Sequence, residues 1–172
     1  MRHKGIKRSY YARRLVLSSF WLHRRHVRVA LLLMLVDATS WAEEAFGVWK
    51  LDPARSTLTG NQKSMTLRIE PHNGGEVFTL DTLAADGRAS TFSTILYFDG
   101  KPREFRDSDC AGTQSSRRVD GRTVEILRDC ASGEQLRLVR RLSAQPGALI
   151  FDITEQHRDG RRSERHLVME KQ

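Results

Sequence analysis

No apolar run in this chain comes near the roughly 20 residues that a membrane-spanning helix requires. The longest is "VALLLMLV", Val29 to Val36. "LVLSSFWL", Leu15 to Leu22, is equally short, and the basic stretch "HRRHVR" separates the two. Beyond residue 43 no apolar pattern of helical period persists for ten residues, which argues against a helical bundle. Catalytic signatures are missing as well. There is no G-x-S-x-G elbow, no P-loop and no dinucleotide fingerprint. The three histidines after residue 43, His72, His157 and His166, fall in separate turns and strands, not at metal-ligand spacing. These absences leave no catalytic, metal or cofactor site to assign, and the chain is read as a non-enzyme.

An excess of one charge is also lacking where it would matter. The net charge of +8 suggests a polyanion partner until it is divided by position. Residues 1 to 42 hold nine Lys or Arg and one acid, Asp37, whereas residues 43 to 172 hold twenty of each sign. The whole excess therefore lies in the leader, and the remainder has no global field to attract nucleic acid.

The leader runs from a basic region, Arg2 to Arg28, through the apolar run to "DATSWA". Basic, apolar, then small residues at Ser40 and Ala42 is the order of a secretory signal peptide, so residues 1–42 are expected to form a signal-peptide helix cleaved after Ala42. The pairs Arg13-Arg14 and Arg24-Arg25 precede apolar runs without a twin-Arg continuation, which favours an ordinary basic region. The mature chain would then be periplasmic or secreted, with no transmembrane anchor.

Cysteine is scarce, with Cys110 and Cys130 only. An even count in an exported chain suggests a disulfide. "RVDGRT" lies midway between them, and a two-residue hairpin turn at Asp120-Gly121 places them within one residue of directly opposite. The alternative is a pair of buried thiols.

What the region 43–172 does have is alternation of period two, broken by short turns. "SMTLRIE" sets Met65, Leu67 and Ile69 against Thr66, Arg68 and Glu70, and similar runs recur to "ERHLVME" near the C-terminus. About nine short strands with short connections predict an antiparallel meander. Closure into an up-and-down β-barrel of about eight strands would bury the apolar face and remove the edges. The stretch from Lys101 to Gly112 is the least regular, and its acids Glu104, Asp107 and Asp109 lack the spaced calcium-ligand pattern.

Gly47-Val48-Trp49 near the start of the first strand, followed by such a meander, resembles the lipocalin group of the calycin superfamily. With "GVWKLDPARS", "KSMTLRIE", "VDGRTVE" and "HLVMEK", the chain is similar to bacterial exported lipocalin-like domains of unassigned function. The resemblance covers residues 46 to 171. It implies that Trp49, after Gly47, closes one end of the barrel and that an Arg near the last strand, Arg165, packs over it.

The inward apolar set is then the one candidate site. Phe78, Leu80, Phe92, Leu96, Phe98, Leu136, Leu138, Phe151 and Met169 would either line a pocket for a small hydrophobic molecule or fill the barrel as core. The first reading is an exported binder of a small apolar ligand. The second is a filled barrel acting as a structural or interaction module of the cell envelope. The sequence names no protein partner.

Overall fold

The computed structural model describes residues 44–58 and 62–172. The signal peptide expected over residues 1–42, with cleavage after Ala42, lies outside the described residues. Among those described, no helix is long and apolar enough to cross a membrane.

Ten strands form a single antiparallel sheet. They are β1 (Gly47–Leu51), β2 (Gln62–His72), β3 (Gly75–Ala84), β4 (Ala89–Tyr97), β5 (Arg103–Arg106), β6 (Ala111–Arg118), β7 (Thr123–Cys130), β8 (Gln135–Leu142), β9 (Ala148–Gln156) and β10 (Arg162–Lys171). The order is β4-β3-β2-β1-β10-β9-β8-β7-β6-β5. β1 pairs with both β2 and β10, so the start and end of the meander are joined. Asp52 ends β1, its Oδ1 accepting from Ala54 N at 2.9 Å in the short 3₁₀ turn Pro53–Arg55.

β4 and β5 complete the order without a ladder between them. β4 and the residues after it are tied instead to β6. Gly100 N donates to Ser116 O at 2.9 Å, Ser116 Oγ to Tyr97 O at 2.8 Å, and Gln114 Nε2 to Thr94 Oγ1 at 3.1 Å. The result is a nearly closed up-and-down barrel, as the alternation predicts.

The strand count and one turn need correction. The count is ten strands rather than about eight, because β5 lies inside the stretch that looks irregular. Its four residues, "REFR", offer one buried apolar side chain, Phe105, too little for a periodic signal. The β6–β7 connection spans residues 119–122, not two residues, and pairs Gly112 with Cys130. Cys110 thus lies two positions from the residue facing Cys130. The bridge forms nonetheless, with Cα atoms 5.2 Å apart, within the usual range for a disulfide. Gly112 permits this approach: a Cβ there would stand 1.9 Å from Asp129 O.

Alternation decides what is inside. Met65, Leu67 and Ile69 on β2, and Leu149, Phe151 and Ile153 on β9, are buried while their neighbours are less so. An up-and-down barrel places successive turns at alternate ends. The connections at 85–88, 107–110, 131–134 and 157–161 lie at one end, called the mouth below, and the chain termini of the barrel lie at the other, called the floor.

Trp49 is 1% exposed at the floor, and its Nε1 donates to Ala45 O at 2.9 Å. The cation over it is not Arg165. Lys171, its register partner on β10, places Nζ 5.3 Å from the ring centroid. Arg165 lies six residues earlier on β10, about 20 Å along the strand, too far to reach. Gly47 adopts φ +125°, a conformation that L side chains rarely take, and a Cβ there would press on Lys171 Cε at 3.3 Å. The turn into β1 therefore needs Gly47.

Candidate functional site: an apolar cavity with a charged mouth

The interior is not filled. A cavity of about 580 Å³ runs from the mouth to the middle of the barrel. Seven of the nine sequence-predicted residues line it: Phe78, Leu80, Phe92, Leu136, Leu138, Phe151 and Met169. Phe78 and Phe151 meet edge to face at 6.3 Å, and Phe92 meets Phe105 likewise at 5.5 Å. Such contacts favour these ring orientations.

Leu96 and Phe98 do not line the cavity. β4 runs from mouth to floor, so Leu96 lies about 13 Å below Phe92. There it is 1% exposed in the floor packing. Phe98 lies just past the end of β4, with the Arg118 guanidinium 4.3 Å from its ring centroid.

A buried ion pair lies beneath the cavity. Glu76 on β3 is 1% exposed and Arg140 on β8 is 0% exposed. Arg140 Nη1 donates to Glu76 Oε1, and Nη2 to Oε2 at 3.0 Å. Each residue is one inward position further toward the floor than a cavity wall residue, Phe78 and Leu138 respectively. The pair thus spans the barrel below the cavity, and its fork-to-fork geometry is the strong form of such a contact.

The mouth carries charge of a different kind. Arg128, near the end of β7, is desolvated, which pulls its pKa down to about 10 against the opposing pull of Asp107. It remains a cation at neutral pH. Its Nε donates to Gln114 Oε1 at 3.0 Å and its Nη1 to Asp107 Oδ2 at 3.4 Å. Its guanidinium carbon lies 4.2 Å from the Phe105 centroid and 5.1 Å from that of Phe92. Arg165 Nη2 donates to Glu155 Oε1, and Glu155 Oε2 accepts from Ser163 Oγ at 3.0 Å. His157 Nδ1 lies 3.2 Å from Glu134 Oε1.

The disulfide also belongs to the mouth, since Cys110 and Cys130 both line it. It tethers the 107–110 turn to the end of β7. Asp107 organises that turn, its Oδ1 accepting from Asp109 N at 2.8 Å and Cys110 N at 2.7 Å. Asp107 is thereby committed to the turn and to Arg128. Among the described residues no three His, Cys, Asp or Glu side chains gather as a metal site would require.

Sequence reasoning placed the apolar wall and missed the polar groups set into it. The signal was present as parity. Arg128 is in phase with Val124 and Ile126, Glu155 with Phe151 and Ile153, and Arg140 with Leu136 and Leu138. A charged residue on the apolar parity of a strand points inward, where it must find a partner.

Solved structures share this architecture. A secretary abundant heat soluble (SAHS) protein from Ramazzottius varieornatus has a TM-score of 0.53 at 9% identity, covering 75% of this chain and 96% of that one. A Schistosoma mansoni fatty acid binding protein in complex with arachidonic acid has a TM-score of 0.51 at 12% identity, with coverage of 75% and 96%. Both are calycin, lipocalin-like barrels, and at these identities the likeness is one of fold. No protein-family model and no curated protein matches the sequence.

Proposed function

We propose that this protein is an exported, lipocalin-like β-barrel that binds one small apolar molecule in its interior. The observation that carries this reading is the open cavity of about 580 Å³. That volume falls inside the range of about 300–1,000 Å³ typical of small-molecule sites. The wall is built from Phe, Leu and Met side chains, so burial of an apolar ligand would gain roughly 25 cal/mol per Å² of surface withdrawn from water. The ligand-contacting residues proposed are Phe78, Leu80, Phe92, Leu136, Leu138, Phe151 and Met169, with Leu96 and Phe98 serving the floor instead.

Fold precedent supports the same reading, because a barrel of this shape is found in complex with arachidonic acid. The cavity also weighs against a filled barrel acting only through its outer surface. The basic-apolar-small leader and the Cys110–Cys130 bridge support export. Binding rather than catalysis is the proposed role: the two arginines at the mouth are held by Asp107 and Glu155, and His166, which does not line the cavity, lies 2.7 Å from Asp152.

Native mass spectrometry of freshly purified protein tests the proposal. It predicts either a co-purifying mass in the range of a single lipid or uptake of one equivalent of an added lipophilic compound. Protein that emerges without added mass and takes up no lipophilic compound would contradict it.

A further inference from the structure

The proportions of the cavity bear on which apolar molecules fit, given that the interior is a ligand site. Its base is closed. Phe78 on β3 and Phe151 on β9 come from strands separated by β2, β1 and β10, and their rings meet across the barrel at 6.3 Å. One inward position further toward the floor, Ile69 and Leu149 are fully buried, as are Glu76 and Arg140. An occupant has no way past this layer.

The lining also fixes the depth. Thr82 to Phe78, Glu155 to Phe151 and Arg165 to Met169 each run down the wall over four residue steps, about 13 Å at the usual rise along a strand. His157, two residues beyond Glu155, extends the wall to about 20 Å of strand. Strands of such a barrel tilt by about 35–45°, so the axial depth is about 15 Å. A volume of about 580 Å³ over that depth gives a mean cross-section of about 40 Å², or a width of about 7 Å. The cavity is short and wide.

We infer that the ligand is a compact, rigid molecule of fused rings, not a single extended hydrocarbon chain. At carbon–carbon contacts of about 4 Å, one extended chain is about 4–5 Å wide and fills less than half of the cross-section. Each carbon advances the chain by about 1.3 Å, so beyond about twelve carbons it must also fold back to stay inside. Folding back fixes many rotatable bonds, and that ordering counts against binding. A six-membered ring is about 3 Å across its nuclei and about 7 Å across its packing surface, which is the width available. Four such rings fused in line run to about 14 Å, close to the depth. Their shape is set before binding, so little freedom is lost. This inference rests on the cavity reading above and adds a shape to it.

Native mass spectrometry tests the shape, with the protein offered equal concentrations of androstanol, a four-ring alcohol, and oleyl alcohol, a linear one. Both are neutral and carry one hydroxyl, so neither charge nor head group decides the outcome. The expected spectrum shows one androstanol per barrel, in at least about tenfold excess over oleyl alcohol. Leu80→Phe narrows the cavity wall without shortening it and should move that ratio about tenfold toward the chain, the scale on which small changes in pocket size discriminate. Oleyl alcohol bound as well as androstanol or better, two chains in one barrel, or an unchanged ratio in folded Leu80→Phe overturns the inference. Uptake of the apolar dye Nile red with no androstanol bound overturns it too. The cavity reading survives each of these results. Protein that takes up neither Nile red nor either alcohol removes the cavity reading and this inference with it.

Discussion

The floor and the mouth of this barrel are built from the same strands with the same alternation, yet they treat charge in opposite ways. At the floor, Glu76 and Arg140 are withdrawn from water and closed on each other in a two-point fork, with Trp49 and Leu96 buried at the same end. At the mouth, Arg128, Arg165, Glu155 and Asp107 keep 13–27% of their side chains exposed and hold one another through single contacts. A buried pair in low dielectric is bound to its geometry, because removing one member strands the other. A partly exposed pair held by a single contact is worth less than a buried two-point fork. The floor is accordingly expected to carry more of the stability than the mouth.

Breaking the floor is expected to give the largest effect. Glu76→Ala withdraws the carboxylate from a fully buried guanidinium and should cost about 3–5 kcal/mol in chemical denaturation. Replacing both members together, Glu76→Leu with Arg140→Met, should recover most of that loss, since an apolar pair of similar volume needs no partner. If the single and double variants are equally destabilised, the pair is not the coupled unit described. The mouth is expected to give a smaller effect. Cys110→Ser with Cys130→Ser opens a loop spanning 20 residues of sequence, which corresponds to about 3 kcal/mol in the loop-entropy picture. That change should also loosen the 107–110 turn and weaken ligand retention, whereas the floor double variant should leave retention unchanged. Equal retention in both would remove the distinction between the two ends.

Much of this was legible in the sequence, and the limits have physical causes. Strand alternation is strong wherever one face is buried, so β2, β9 and β10 announce themselves through Met65, Leu67, Ile69, Leu149, Phe151, Leu167 and Met169. β5 does not, because four residues carry too few alternations to stand out from a loop. Seven of the nine interior residues line the cavity because parity alone specifies facing. Parity does not specify depth, so Leu96 and Phe98, on or just past the same strand as Phe92, belong to the floor. The same gap explains Arg165. Its inward phase was visible, but register with Trp49 depends on which residue of β10 faces β1, and that residue is Lys171. Whether the interior is open is beyond sequence, since it depends on which rotamers side chains such as Phe78, Phe92 and Phe151 adopt.

The smallest expected change in stability belongs to the most informative variant. Leu138→Trp replaces a buried aliphatic side chain of the cavity wall with a bulkier indole, part of which the empty volume can take, and should cost about 1 kcal/mol, the low end for an enlarged core side chain. Its effect on binding is the direct test of the central claim, that an open apolar interior holds the ligand. In a Nile red fluorescence titration, the unaltered protein is expected to saturate at one dye per barrel and Leu138→Trp to lose that binding while remaining folded. Undiminished, saturable uptake by folded Leu138→Trp would place the dye elsewhere and contradict the account.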